Sequence, residues 1–292
     1  MLDARKIYRK VTSKVNDFSP EQLQNLVCIV HLYRGDTIKL KDTINNYLEQ
    51  SVKLAKQVAE TTQKLNKALN ANIDRVDRFF ADSKNIPDFP IGNRIRKGQF
   101  DENTLYELQN QLVDSTKNVS SVEKDLEAVA LQCKNLRKPQ DKIIKELIDS
   151  IAALTKEYQL NKNKEWQKLN VRELLNEIKE LQQLLSGNPE EEEPGLLHET
   201  EYFFKQSHWL TSRFPQGVYT DVEGLCKVVT QAEIEAKDWS LSPGRYVGVS
   251  LSEDEDYDYE ERLKEIHIEL EGLNEEAIKL ADTIRENYKS IL

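Results

Sequence analysis

Residues 44–79 read INNYLEQSVKLAKQVAETTQKLNKALNANIDRVDRF. Along this stretch Ile44, Leu48, Ser51, Ala55, Val58, Thr62, Leu65, Leu69, Asn72, Val76 and Phe79 recur at alternating steps of four and three. A mean step of 3.5 keeps all of them on one face of a helix and implies left-handed supercoiling. At ~1.5 Å per residue the helix is on the order of 55–65 Å long. Two further stripes follow. The second runs Leu105, Leu108, Leu112, Ser115, Val119, Val122, Leu126, Val129, Cys133, Leu136. The third runs Ile144, Leu147, Ile151, Leu154, Tyr158 and resumes at Val171, Leu174, Ile178, Leu181, Leu185. The expected fold is mainly α: a long antiparallel coiled-coil arm over 37–186, inserted into a small, mostly helical body. The polar members of the seam, Ser51, Thr62, Asn72 and Ser115, weaken its packing and fix its register.

Breaks in the pattern place the turns. Asn85–Gly98 holds two prolines and two glycines and reads as a loop. Pro139 reads as the boundary between the second and third helices, because proline disfavours helical backbone before it and removes a donor. Residues 161–168, with Trp166, interrupt the third stripe as a kink or a loop. On the N-terminal side, residues 1–36 form a separate unit. Leu2 to Tyr8 reads as the end of a strand. Ser19-Pro20 is a helix start, with serine at the N-cap and proline at the first turn. Leu23, Leu26, Val27, Val30 and His31 lie along that helix, and Gly35 ends it. Residues 187–195, GNPEEEEPG, read as an acidic linker unable to pack. Residues 196–251 read as a body-closing segment. Residues 252–292 read as an acidic spacer and a terminal helix.

The chain has 292 residues, 32% of them charged, only 10 glycines and a net charge of −10. This profile favours long helices and argues against a free-standing nucleic-acid binder, which is ordinarily basic. Cys28, Cys133 and Cys226 have no paired spacing, which suits a reducing cytoplasm and buried thiols. No apolar run approaches the ~18 residues of a membrane span. The histidines His31, His198, His208 and His267 lack partners at metal-ligand spacing, so no metal site is expected. No nucleophile elbow, zinc-protease or phosphate-loop motif occurs, so no catalytic residue is expected.

The terminal helix carries Leu263, Ile266, Leu270, Leu273, Ala277, Leu280, Ile284 and Ile291, a two-in-seven seam. That stripe is narrower than the face a helix turns to a globular core, and is what a coiled-coil partner covers. Ile268 and Ile278 lie off it and suggest a second contact surface. Full burial of the seven leucine and isoleucine side chains among them is worth roughly 10–20 kcal/mol before ordering costs. An isolated chain is therefore expected to self-associate.

Five segments share one further property. LDARKIYRKV (2–11), FSPEQLQNLVCIVHLYRG (18–35), GVYTDVEGLCKV (217–228), DWSLSPGRYVGV (238–249) and YDYEERLKEIHIELEGLNEEA (257–277) occur in that order. Together they resemble the C-terminal part of the modification subunit of type I restriction-modification enzymes, which are adenine-N6 DNA methyltransferases. The glycine-rich S-adenosylmethionine loop and the Asn-Pro-Pro-Phe-type tetrad of that family are absent, and Met1 precedes sequence that reads as mid-protein. The resemblance therefore implies a piece of such a subunit, with no cofactor site and no enzyme activity of its own. S-adenosylmethionine and site-specific methylation belong to the complete parent.

By the same resemblance, the terminal seam implies docking onto the specificity subunit, in a cytoplasmic complex that also holds the restriction (motor) subunit and reaches DNA. Trp239, Pro243, Gly244, Arg245 and Tyr246 are expected to close the body, with Pro243-Gly244 supplying a turn that uses glycine's positive φ. Arg245 is expected either to pair with an acid such as Asp238 or to meet a phosphate. Arg5, Lys6, Arg9 and Lys10 form the candidate DNA-contact patch. Two rival functions stand beside this one: a stand-alone coiled-coil adaptor, and one half of a split methyltransferase completed by a separate chain.

Overall fold

A computed structural model describes residues 1–10, 15–82, 102–117, 119–120, 122–188, 193–249 and, in the terminal segment, 263, 266–267, 270, 273–274 and 277–281. The expected loop at 85–98, the acidic spacer at 252–261, and Ile268, Ile284 and Ile291 lie outside the described residues. The fold is mainly α, and the only strands among the described residues are two-residue pairs. The chain divides into two compact units, Met1–Thr43 with Leu210–Leu292, and Ile44–Trp209.

In the first unit, β1 (Arg9–Lys10) pairs antiparallel with β2 (Asn16–Asp17). Helix α1 (Pro20–Tyr33) follows. Its start is built from the residues that announced it: Ser19 Oγ accepts from Gln22 N at 3.1 Å, and Gln22 Oε1 accepts from Ser19 N at 2.9 Å. This reciprocal box satisfies donors that the first turn leaves orphaned. At the other end Gly35 takes φ +83, where a side chain would be strained. The inward face is Asn25, Leu26, Cys28, Ile29 and Leu32, whereas Leu23 and Val30 are exposed.

The strand expected over Leu2–Tyr8 does not form. Leu2 makes a single antiparallel bridge to Cys226, with Asp3 N donating to Leu225 O at 2.7 Å. The chain then turns, because the Asp3 carboxylate accepts from the backbone N and the guanidinium of Arg5. A short aspartate that binds its own chain two residues on competes with a ladder. Further along, Thr230 and Glu233 make a second capping box for the short α8 (Gln231–Glu235), and α9 (Gly244–Val247) is a single turn.

The second unit holds most of α2 (Ile38–Asp82), α3 (Glu102–Thr116), α4 (Glu123–Glu157), a 3-10 turn (Leu160–Lys162), α5 (Lys164–Lys168), α6 (Val171–Ser186), β3 (Gly187–Asn188) with β4 (Glu193–Pro194), and most of α7 (Leu196–Arg213). Its core joins Val58, Leu65, Leu69 and Val76 of α2 to Leu112 of α3, to Leu136, Ile144 and Leu147 of α4, and to Ile178 of α6. The three stripes thus supply one continuous apolar interior. A second cluster sets Leu48 against Leu126, Ala130 and Phe204. There Arg137 pairs with the buried Glu201 at 2.8 Å, and Ser51 Oγ donates to Thr200 O at 3.1 Å. Ser51 therefore has a defined partner, while the side chains of Thr62 and Asn72 are buried without a protein hydrogen bond.

Two expected turns are corrected. Pro139 does not divide helices; it lies inside α4. The break falls instead between α3 and α4, where Ser120 Oγ donates to Asp125 Oδ2 at 2.9 Å and Val122 takes extended backbone. On both sides of Pro139 the stripe is buried, at Leu136, Ile143, Ile144 and Leu147. That burial outweighs the ~3 kcal/mol an interior proline costs. Pro139→Ala should accordingly raise stability by about 1–2 kcal/mol, the helix gain less the freedom returned to the unfolded chain. The urea midpoint checks this; a drop would mean that a bend at Pro139 is needed to seat Leu136 and Ile143 together.

The segment 187–195 is likewise not a plain linker. Gly187 opposes Pro194 and Asn188 opposes Glu193 in a small antiparallel pair. A Cβ on Gly195 would sit 2.2 Å from Gly187 N, so the close approach requires glycine there. The interruption at 161–168 is a compact reversal. Gln159 and Asn170 both take left-handed backbone, and Asn163 caps α5 through Glu165 N and Trp166 N.

Candidate docking surface and the basic turn

Leu263, Ile266, Leu270, Leu273, Ala277 and Leu280 are all helical and all exposed. Ile266 is exposed at 40% and Leu263 at 64%. No other described part of its own unit covers the seam. Residues spaced three and four apart share one helix face, so the exposed leucines and isoleucines form a continuous ridge. Ile278, off the seam, is also exposed, at 63%. Exposed apolar patches on proteins commonly mark interaction sites.

The segment expected to close the first unit divides in two. Tyr246 is buried, its hydroxyl donates to Ser240 O, and Lys237 Nζ lies 4.5 Å from its ring centre. Trp239 is exposed and closes nothing; it and Asp238 hold left-handed backbone at φ 58 and 54. Arg245 does not pair with Asp238. Its Nη1 donates to Lys237 O at 3.4 Å, and Lys237 Nζ donates to Arg245 O.

Gly244 is not at positive φ, as a Pro-Gly turn would have it; that role falls to Gly248 at φ +78. Gly244 leaves room that the Arg5 side chain occupies. A Cβ there would stand 1.9 Å from Arg5 Nη2 and 3.1 Å from Asp3 Oδ2. The contacts link residues 239 and 241 positions apart in the chain, and nothing local in the Ser-Pro-Gly-Arg run foretells them.

Of the candidate DNA-contact residues, Arg5 and Lys6 are exposed, and Arg9 and Lys10 form strand β1. Arg5 is tied to Asp3 at 2.6 Å, and its guanidinium holds the Asp3 carboxyl below the usual aspartate value. The unfolded chain, with aspartate near 3.8, then takes up the proton first as pH falls. Stability from this pair is present above about pH 4 and is lost as pH drops through the lower folded value. Gly244→Ala displaces Arg5 and should shrink that acid-dependent loss, seen as a smaller change in urea midpoint between about pH 6 and pH 2. An unchanged pH profile would show that the Asp3–Arg5 pair does not rely on the space at Gly244.

Chemical groups elsewhere are quiet. Cys28, Cys133 and Cys226 are buried free thiols, and burial pushes each upward, away from the thiolate that nucleophilic chemistry needs. Among the described residues no group of three His, Cys, Asp or Glu is arranged to hold a metal. A cleft of about 240 Å³ between α1 and residues 226–229, walled by Ile29, Tyr33, Tyr219 and Val228, was not legible in the sequence. No helix among the described residues is long and apolar enough to cross a membrane.

Comparison with known proteins leaves this geometry to stand alone: no family model matches the chain, and neither curated proteins nor solved structures give a match.

Proposed function

We propose that this chain is the C-terminal interaction and architectural region of a type I restriction-modification adenine-N6 DNA methyltransferase subunit, and that its terminal helix docks the specificity subunit. The observation that carries the reading is the exposure of Leu263, Ile266, Leu270, Leu273 and Leu280 along one helix face. A two-in-seven ridge fits another helix better than a flat surface. Its mate is expected to be basic at its flanks, since Glu260–Lys279 holds seven glutamates against Arg262, Lys264 and Lys279. The same acidic flank favours a different polypeptide over a second copy, because like charges set side by side oppose pairing.

The complete parent subunit supplies the S-adenosylmethionine site and the methyl transfer, and the assembly, with its restriction subunit, meets DNA in the cytoplasm. In this reading Ala277 extends the ridge, Ile284 belongs to the docking stripe by its spacing in the sequence, and Pro243, Gly244 and Tyr246 build the first unit. Co-expression with a type I specificity subunit followed by size-exclusion chromatography tests the docking: the two should elute together, and separate elution would end the proposal. Calorimetry should detect no S-adenosylmethionine binding by this chain; measurable affinity would place a cofactor site here after all.

A further inference from the structure

Helix α2 carries a repeat that the docking reading does not use. The motif cation–apolar–any–cation occurs three times at intervals of eleven residues: Lys53-Leu54-Ala55-Lys56, Lys64-Leu65-Asn66-Lys67 and Arg75-Val76-Asp77-Arg78. Leu54, Leu65 and Val76 are buried, and all six cations are exposed. Eleven residues are close to three full turns, so successive pairs drift by only about 20° around the helix and rise by about 16.5 Å. The core therefore holds the six charges in one track about 37 Å long. Among the described residues, none of the six makes an ion pair; Arg75 donates to Leu169 O at 3.2 Å. Within this unit Glu49, Glu60, Asp74 and Asp82 are the exposed acids on the same face of α2; Glu49 and Asp82 flank the track and only Glu60 and Asp74 fall inside it, so the track itself sets six cations against two acids within a chain of net charge −10.

We propose that this face of α2 is a sequence-independent binding track for the phosphate backbone of duplex DNA. The first and third cation pairs stand about 33 Å apart, close to the ~34–36 Å repeat of the double helix. They meet one strand at successive turns, and the middle pair meets the opposite strand between them. Lysine and arginine act here as charges for phosphate, and contacts to the backbone carry no sequence information. Single strands are not the ligand, because no exposed aromatic alternates with the cations to stack a base. A membrane surface is not the ligand either, since the face lacks the apolar stripe an interfacial helix buries.

The test is fluorescence anisotropy of the full chain with a labelled random-sequence duplex of about two helical turns, at several salt concentrations. Binding on the order of 10⁻⁴–10⁻⁶ M is expected, with log affinity against log salt falling at a slope of about −5 for six phosphate contacts. Lys64→Gln with Lys67→Gln should weaken binding at least about tenfold at low salt and reduce the slope by about 2. Circular dichroism should show these surface changes to be folded like the parent. Unchanged affinity and slope in a variant with all six cations replaced by Gln would overturn the proposal. So would equal competition by polyglutamate at matched charge, which would mean the track answers to any polyanion.

Discussion

Leu270→Asp combined with Leu273→Asp is expected to abolish co-purification with the specificity subunit while leaving helical content nearly unchanged. Both side chains are more than half exposed, at 53% and 55%, so the free chain loses no packing when they are replaced. Docked, each leucine would bury apolar area worth roughly 1.5–3 kcal/mol, and each aspartate instead carries a charge out of water. Two such changes together exceed about 5 kcal/mol, a loss of several thousandfold in affinity. A pull-down that survives the double substitution would exclude the terminal helix as the contact. The same variant should also suppress self-association of the isolated chain, which analytical ultracentrifugation reads directly.

Trp166→Ala is the stability counterpart. The indole lies 5.0 Å from the Phe79 ring and 6.2 Å from the Phe80 ring, and Phe80 meets Tyr158 at 5.7 Å, all edge to face. Trp166 is buried to 6% exposure. Truncation removes its burial and leaves a cavity among three aromatic rings, at a cost of about 3–5 kcal/mol. That is a large part of the ~5–15 kcal/mol by which domains are stable. Chemical denaturation gives the magnitude, and limited proteolysis should cut first within residues 158–171. A loss below about 1 kcal/mol would show that this reversal is not held by its aromatic cluster.

The parts of the fold legible in the sequence are those set by nearest neighbours and by periodicity. Ser19, Pro20 and Gly35 announce α1 because capping and positive φ are local demands. The stripes announce α2, much of α4 and α6 because a repeat of three and four has no other economical burial. The terminal ridge is legible for the same reason, and the structure places its described members in helix and in solvent.

What was illegible depended on partners distant in sequence. Pro139 looks like a stop until the burial of Leu136 and Ile143 on either side is known. Trp166 looks like an interruption until Phe79 and Phe80, more than 80 residues earlier, close on it. Gly244 looks like a turn glycine until Arg5 is found in the space its side chain would fill. The alternating apolar steps by themselves determined that the chain is helical and which faces turn inward, because amphipathic burial is encoded residue by residue. Only the tertiary structure decided where the helices break and which small or aromatic residues hold them, because those outcomes balance local backbone cost against contacts that exist only once the chain has folded.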